Sequence, residues 1–277
     1  MAKSIPKDFI DSLIDKANIV DIIGNYIKLE KKGNDYWARC PFHSEKTSSF
    51  SVSENKQFFH CFGCGAHGNA IGFVMDHTNK TYPEAIESIA NTLGIEIPRD
   101  KETSKIYEAR KILKDSLNDA KKIFENQLKN SENAISYLKE RKISGETAKK
   151  FQIGYAEDDF QVINKSLSDA YTESNLLDAG LIVKKDKNSY DKFRDRIMFP
   201  IHDQSGNIIA FGGRILKEDK EKPMAKYMNS PETSLFSKKR VLYNLHLAKQ
   251  DKDSKEFLYI VEGYMDVIKL YKAGIKN

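Results

Sequence analysis

The feature that most constrains this 277-residue chain is the spacing of its three cysteines and one of its histidines. Cys40 and His43 form one pair, and Cys61 and Cys64 form another, with two residues between the members of each pair. Structural zinc sites take four nitrogen or sulfur ligands in a tetrahedron, and two such turns joined by a hairpin supply them. The pattern therefore predicts one structural zinc ion bound by these four side chains.

The same segment leaves alternatives to this ligand set. A disulfide or redox role for Cys61 and Cys64 would leave Cys40 unpaired, which favours zinc. His60 and His67 could compete as ligands, but His60 precedes Cys61 on a predicted strand and should point to the opposite face. His67 lies in a glycine-rich stretch and is more simply explained as a contact with solvent or phosphate.

The positive charge of the chain is concentrated after its first hundred residues. Residues 1–98 contain 10 Lys or Arg against 12 Asp or Glu, whereas residues 99–277 contain 35 against 28. An anionic partner such as nucleic acid would bind mainly to the second part, although a lysine-rich solvated surface explains the excess at least as well. The sequence shows no signal peptide and no apolar run of membrane-spanning length, which predicts a cytoplasmic protein without membrane contacts.

The order of apolar patterns predicts an α+β fold. Residues 50–52 and 57–60 indicate a hairpin, which with flanking helices makes a zinc ribbon around the ligands. Residues 99–105 are charged and featureless, which predicts a linker. Helices follow, and then strands at 197–201 and 208–211 indicate a mixed α/β core.

Aromatic side chains alternate with polar ones on the ribbon strands, a pattern that suits stacking on unpaired bases. They are Trp37, Phe50, Phe58 and Phe59. At least half of them must instead fill the thin core of the ribbon. Lys28, Lys46 and Lys56 could add contacts with phosphates.

A second candidate site lies near the end of the sequence. Residues 257–261 predict a strand that ends at Glu262, just before a helix that starts at Tyr264. The end of a strand in an open α/β sheet is where such folds place their chemistry. A carboxylate that caps the N-terminus of the helix would explain Glu262 without catalysis.

These motifs resemble those of the bacterial DNA primases, which synthesise RNA primers for replication. The zinc segment carries CPFH at 40–43, EKT at 45–47, SF at 49–50 and HCFGCGAHGNA at 60–70. The second part carries RDRIMFPI at 194–201, FGGR at 211–214, KYMNSPET at 226–233, KKRVLY at 238–243 and VEGYMDV at 261–267. Ser48 stands where the family usually has proline, a difference that touches no ligand.

The resemblance implies four segments. The zinc-ribbon DNA-binding domain would comprise residues 1–98, the linker 99–110, the N-terminal subdomain of the polymerase core 111–255, and the start of a toprim segment 256–277. In the family the toprim fold continues and supplies further acidic residues, and a helicase-binding domain is also present. We therefore expect a fragment whose primase core is cut off at the start of toprim and which binds DNA without making primers alone.

The resemblance also implies DNA-templated synthesis of short RNA primers by nucleotidyl transfer. The implied partners are a single-stranded DNA template, ribonucleoside triphosphates, the RNA primer and, for the full-length enzyme, the replicative helicase; a monomer is expected. Besides zinc, Mg²⁺ or Mn²⁺ would support catalysis, with Glu262 as the catalytic glutamate and one magnesium ligand of an incomplete site. The residues expected to hold DNA or nucleotide are Arg141, Arg214, Lys226 and Lys238.

Simpler explanations of these residues stay open. Gly212 and Gly213 beside Arg214 would let the backbone approach a phosphate, but ordinary surface charge explains any single basic residue. The alternative function is a non-catalytic, zinc-dependent module that binds single-stranded DNA. A plasmid or phage helicase–primase would carry a P-loop, and this sequence contains none.

Overall fold

A computed structural model describes residues 5–99, 101–216, 225–251, 254 and 256–277. The chain divides into two compact units, Met1–Lys105 and Ile106–Asn277. Both units combine helices with antiparallel sheets, which confirms the predicted α+β class. None of the described helices is long and apolar enough to cross a membrane.

The first unit is a small antiparallel sheet with helices before and after it. The helices are α1 (Lys7–Lys16), α2 (Ile19–Gly24), α3 (Ala70–Thr78) and α4 (Tyr82–Thr92). The strands are β1 (Glu30–Lys32), β2 (Asp35–Ala38), β3 (Phe50–Ser53), β4 (Phe58–Cys61) and β5 (His67–Gly68). They lie in the order β1-β2-β3-β4-β5, so each strand pairs with the next one along the chain.

Side-chain caps fix the start of three of these helices, α2, α3 and α4. The side chain of Asn18 accepts a hydrogen bond from the backbone N–H of Val20 at the start of α2. Thr81 and Glu84 form a capping box at the start of α4, in which each side chain satisfies a backbone N–H of the other. Both devices satisfy amide groups that the first turn of a helix leaves without partners.

A cluster of phenylalanines forms the core of the first unit. Phe50 and Phe59 lie on neighbouring strands with ring centroids 5.1 Å apart, and both are fully buried. Phe42 and Phe73 pack on them with centroids no more than 6.0 Å away. Cys61 lies opposite Phe50 in the sheet and two residues after Phe59, so it projects from this core face.

The second unit is built around a four-stranded antiparallel sheet. The unit contains six strands in its described part: β6 (Gly154–Ala156), β7 (Ile182–Lys185), β8 (Asn188–Asp191), β9 (Arg196–His202), β10 (Ile208–Ile215) and β11 (Tyr227–Asn229). The main sheet has the order β11-β10-β9-β6, and β7 and β8 form a separate hairpin. The helices are α5 (Lys101–Asn130), which contains the boundary between the units, α6 (Glu132–Glu140), α7 (Gly145–Lys150), α8 (Val162–Leu167), α9 (Glu173–Asp178), α10 (Leu245–Ala248), α11 (Tyr264–Lys272) and a 3₁₀ helix at Lys238–Arg240.

Both faces of the main sheet are covered, which explains the long apolar runs of its central strands. Every residue of β9 and β10 is buried. On one face Phe211 meets Phe124 of α5 with ring centroids 5.2 Å apart. On the other face Phe199 stacks on Tyr264 of α11 at 5.1 Å. Strands buried on both sides show continuous rather than alternating hydrophobicity.

The segment predicted to be a featureless linker is helical from Lys101 on, where α5 begins. Residue 100 lies outside the described residues. The segment 101–110 contains no proline or glycine and is rich in Lys, Glu, Ala and Arg, which favour helix despite their charge. The domain boundaries inferred from the sequence remain a prediction.

The strand predicted at 257–261 is also wrong. In the described part of the chain no strand pairs with this segment, and two of its backbone groups, the N–H of Tyr259 and the carbonyl oxygen of Phe257, form hydrogen bonds with Asn277. A strand needs a neighbour to satisfy its amide groups, whatever its side-chain composition. The apolar residues of the segment are therefore exposed, with Ile260 at 75%.

The sheet of the second unit should not tolerate a β-carbon at Gly154. A methyl group there would lie 2.5 Å from Cβ and 2.8 Å from the carbonyl carbon of Phe124, so the backbone of α5 would have to move. We expect Gly154→Ala to lower the free energy of unfolding by about 1–3 kcal/mol, as overpacked cores do. Thermal and urea unfolding of the variant measure this loss.

Gly145→Ala is the matched control for this substitution. Gly145 is the first residue of α7, and a β-carbon there meets nothing within 4 Å. Alanine favours helix over glycine, so this variant should be as stable as the parent or slightly more stable. Equal stability of the Gly154 variant and the parent would show that α5 and β6 are not packed as described.

Candidate zinc centre and nucleic-acid interface

The structure brings the four predicted zinc ligands together. One ligand atom from each of Cys40, His43, Cys61 and Cys64 lies within 4.8 Å of the others. The Sγ atoms of Cys40 and Cys64 are 3.8 Å apart. Cys61 Sγ lies 3.8 Å from Nδ1 of His43. A tetrahedron with bonds of about 2.0–2.3 Å has edges of roughly 3.5–3.8 Å, so these side chains fit a zinc ion.

Glycines shape the turn that carries Cys61 and Cys64. The N–H of Gly65 donates to the carbonyl oxygen of Cys61 at 2.9 Å, and Gly65 has φ +75°, where glycine is unstrained. At Gly63 a β-carbon would lie 2.7 Å from Nε2 of His43. The absence of a side chain at this position therefore lets the imidazole approach the second turn.

The two buried thiols differ in acidity. Burial raises the pKa of the Cys40 thiol to about 12. Burial acts in the same direction on Cys61, but hydrogen bonds to its sulfur, among them those from the backbone N–H groups of Cys64 and Gly63, lower its pKa to about 7. The backbone N–H groups that point at Cys61 Sγ favour its thiolate, the form that binds zinc.

The outer face of the sheet carries a row of rings that we call the aromatic face: Trp37, Phe58, His60, Phe62 and His67. Trp37 pairs with Ser51 across the sheet, Ser51 with His60, and His60 with His67. The ring of Phe62 stacks on Trp37 at 5.9 Å and meets His60 edge-on at 4.7 Å. The row is accessible at the surface, and Phe62 is 69% exposed.

Neither of the two competing histidines joins the zinc ligands. The cluster of possible metal ligands does not include His60 or His67. His67 instead places Nδ1 2.8 Å from the carbonyl oxygen of Gly65. The alternation of side chains along β4 puts His60 on the face opposite to Cys61.

The residues predicted to stack on bases divide between the core and the aromatic face. Phe50 and Phe59 are core residues, whereas Trp37 and Phe58 are accessible. Phe62 is missing from the prediction. Its place between Cys61 and Gly63 is the signal for it, because ligands that turn inward leave the intervening side chain outside.

In the second unit, two of the predicted basic residues share one tyrosine ring. The guanidinium carbon of Arg141, at the end of α6, lies 5.4 Å from the ring centroid of Tyr137. That of Arg214, on β10, lies 5.7 Å from the same centroid. Arg214 also donates through Nη1 to the hydroxyl oxygen of Tyr227 at 2.5 Å. We call these four residues the tyrosine–arginine cluster.

The predicted basic residues differ in exposure. Arg214 is only 7% exposed, and among the described residues its Nε has no hydrogen-bond partner. Arg141, Lys226 and Lys238 are exposed. The carbonyl oxygen of Lys226 accepts a hydrogen bond from the N–H of Ile215 at 3.1 Å, which holds the start of β11 beside β10.

A cavity of about 630 Å³ adjoins this cluster. Its lining includes Tyr227, Lys238, Glu262, Tyr264 and Asp266. Tyr227 therefore belongs to both the cluster and the cavity, and Lys238 and Glu262 face the same space. Glu262 is exposed and precedes α11, but it does not end a strand.

The predicted role of the two glycines beside Arg214 is not supported by their surroundings. A β-carbon at Gly212 would lie 2.6 Å from the ring of Tyr264, and one at Gly213 would lie 2.9 Å from Phe193. Side chains of this chain already occupy the space that a phosphate would need. The glycines therefore allow packing of aromatic rings onto β10.

Two members of the tyrosine–arginine cluster are absent from the sequence-based predictions. Tyr137 has a local signal, because it precedes Arg141 by four residues and would share its face of a helix. Tyr227 has none. It meets Arg214 only because β10 and β11 pair in the register that places these residues opposite each other.

Family models match most of the chain. A CHC2 zinc finger model matches residues 5–105, and a model of the N-terminal domain of the DNA primase catalytic core matches residues 123–249. A DNA primase of Pseudomonas putida is 43% identical over 286 aligned positions, which cover 100% of this chain and 43% of the relative. One of Haemophilus influenzae is 44% identical over 283 positions, covering 99% and 47%.

Solved structures agree with these matches. The zinc-binding and RNA polymerase domains of the Aquifex aeolicus primase are similar with a TM-score of 0.56 and 35% identity, covering 97% of this chain and 64% of that one. A primase catalytic domain bound to single-stranded DNA is similar with a TM-score of 0.55 and 38% identity, covering 61% and 53%. The chain spans less than half the length of the two curated relatives described.

The zinc finger match and the ligand geometry give the first unit one structural zinc ion.

Removal of zinc should unfold the metal-binding part of the first unit. In zinc-finger peptides the binding free energy, roughly 10–16 kcal/mol, is also folding free energy. We expect calorimetry with a chelator to show loss of the transition of the first unit, its return when zinc is added, and an unchanged transition of the second.

Metal analysis should find one zinc per chain, and Cys61→Ser should reproduce the effect without chelator. Dispersed amide resonances from β3 and β4 in the zinc-free chain would contradict the prediction.

Proposed function

The chain belongs to the bacterial DNA primase family, and we propose that it holds the single-stranded template for DNA-templated synthesis of short RNA primers. The family relationship supports a cytoplasmic location at the replication fork. It also leads us to propose ribonucleoside triphosphates, the RNA primer and the replicative helicase as partners of the whole protein. The proposal assigns separate tasks to the two units, phosphate contacts to the second and base contacts to the first.

The observation that supports template binding most directly is the continuity of basic residues through two tyrosines. Tyr137 joins Arg141 to Arg214, and Tyr227 joins Arg214 to the cavity that Lys238 lines. These residues come from well-separated segments of the chain. A set of cations gathered in this way suits a backbone that carries one charge per nucleotide.

The exposed members of this set are the proposed phosphate contacts. Arg141, Lys226 and Lys238 can each place a charged group against the backbone, since all three are exposed. Arg214 is enclosed by tyrosines, so we propose that it adds positive potential and holds Tyr227. Arginine suits this role because its guanidinium stacks on rings and stays charged when partly desolvated.

The aromatic face is the proposed contact for bases in the first unit. Trp37 and Phe62 offer stacked rings at the surface, and Phe58 and His67 extend the row. Rings accept any base, which fits a template that must be read along its length. The exposed side chains of Lys28, Lys46 and Lys56 are proposed to neutralise nearby phosphates.

The metal assignments of individual residues are also proposals. We propose Cys40, His43, Cys61 and Cys64 as the ligands of the structural zinc, on the strength of their geometry. Glu262 is the proposed catalytic glutamate. Among the described residues, the carboxylates that line its cavity are those of Glu262 and Asp266, fewer than a magnesium site formed by protein alone would need.

Phosphate contacts predict the salt dependence of DNA binding. Each contact with a single strand contributes about −0.7 to the slope of log K against log salt concentration. Arg141→Ala, Lys226→Ala and Lys238→Ala should each flatten the slope by about this amount and weaken binding uniformly across sequences. Arg214→Ala should also weaken binding. Fluorescence anisotropy of a labelled oligonucleotide at several salt concentrations measures the slopes.

Arg110→Ala and Lys184→Ala control for the loss of a charge. Arg110 is exposed on α5. Lys184 is exposed on β7 of the β7–β8 hairpin and forms an ion pair with Glu173 of α9. Neither should change the slope beyond experimental error. Slopes that are unchanged in the Arg141, Lys226 and Lys238 variants would assign those residues to ordinary surface charge.

Base stacking predicts a direct optical signal, because Trp37 is the single tryptophan of the chain. An oligo(dT) strand should quench its fluorescence, and Phe62→Ala should weaken binding about 5- to 150-fold, as expected for 1–3 kcal/mol per stacked base. Tyr82→Ala, which removes an exposed ring on α4, is the control. Unquenched fluorescence together with unchanged affinity of the Phe62 variant would exclude the aromatic face.

A further inference from the structure

Glu45 lies outside the proposed zinc ligand set and yet contacts the first ligand-bearing turn directly and the second through Ser49. Its Oε1 accepts hydrogen bonds from the backbone N–H groups of Cys40 at 2.6 Å and Ser49 at 3.1 Å. Its Oε2 accepts one from the hydroxyl of Ser49 at 2.5 Å. The same oxygen lies 3.3 Å from Nε2 of His43, and the side chain is only 10% exposed.

The first consequence concerns the imidazole of His43. Nδ1 faces Cys61 Sγ at 3.8 Å, whereas Nε2 faces the carboxylate of Glu45. A carboxylate beside one ring nitrogen keeps the proton there and leaves the lone pair of the other nitrogen free for a metal. Glu45 thus selects both the tautomer and the orientation of this ligand.

The second consequence concerns Cys61 on the other turn. The hydroxyl oxygen of Ser49 lies 3.1 Å from Cys61 Sγ, so one serine touches both Glu45 and a ligand sulfur. The carbonyl oxygen of Ser49 also accepts a hydrogen bond from the N–H of Phe62 at 2.9 Å. Any shift of Ser49 is therefore transmitted to the second turn.

We infer that Glu45 is the positioning residue of the zinc centre. It orients His43 directly, holds the backbone of Cys40, and acts on Cys61 through Ser49. One carboxylate therefore sets the relative placement of ligands that are about twenty residues apart in the sequence. A ligand set held in place before the metal arrives binds it more tightly than one that must be ordered on binding.

Zinc affinity tests this inference in the 277-residue chain. Glu45→Gln keeps the size of the side chain but removes the charge and half of its accepting capacity. We expect a 10- to 100-fold loss of zinc affinity in competition with a chromophoric chelator, the usual effect of removing such an outer partner. Ser49→Ala should cause a smaller loss, and Glu30→Gln, the same change on exposed β1, should cause none.

A spectroscopic readout separates positioning from a general effect on folding. With cobalt(II) in place of zinc, the ligand-field bands should shift in Glu45→Gln and stay unchanged in Glu30→Gln, because the first variant alters the geometry at the metal. Zinc affinity within twofold of the parent, or an unshifted cobalt spectrum, would overturn the inference. If Glu45→Gln fails to fold with zinc, Ser49→Ala decides in the same way, and parental affinity in that variant would also overturn it.

Discussion

The close approach of four ligand atoms from two turns is the constraint on which the first unit depends. Cys61 lies on the same sheet face as Phe59 and opposite Phe50, so the zinc site and the phenylalanine core are adjacent. Side chains of a strand alternate, and a slip of one residue would exchange its faces. Cys61 would then leave the zinc site and Phe59 would leave the core. Metal binding therefore fixes the register that also creates the aromatic face.

In the second unit, tyrosines rather than acids surround the buried arginine of the cluster. Arg214 is bonded to the hydroxyl of Tyr227 and lies near the ring of Tyr137, so no carboxylate in these contacts cancels its charge. The faces of aromatic rings stabilise a guanidinium without neutralising its positive charge. Gly212 belongs to the same design, because it gives Tyr264 the space to join α11 to β10.

Features that depend on short-range spacing could be predicted from the sequence. The zinc ligands, the hairpin of β3 and β4 and the α+β class are local patterns, and the fold confirms the class and the hairpin. The packing role of Gly212, the pairing of Tyr227 with Arg214 and the unpaired state of 257–261 depend on distant parts of the chain. The sequence shows which residues the chain contains, but it does not show which distant residues are in contact in the folded chain.

The two units expose different chemistry, and this difference bears on the kind of nucleic acid that each can hold. The cations of the second unit require only phosphates, which single and double strands both present. The rings of the first unit, Phe62 above all, require unstacked bases, which a duplex hides within its helix. Under the proposed division of tasks, preference for a single strand comes from the aromatic face. Because zinc fixes the register that forms this face, the same proposal gives the metal a role in strand selectivity without contact with DNA.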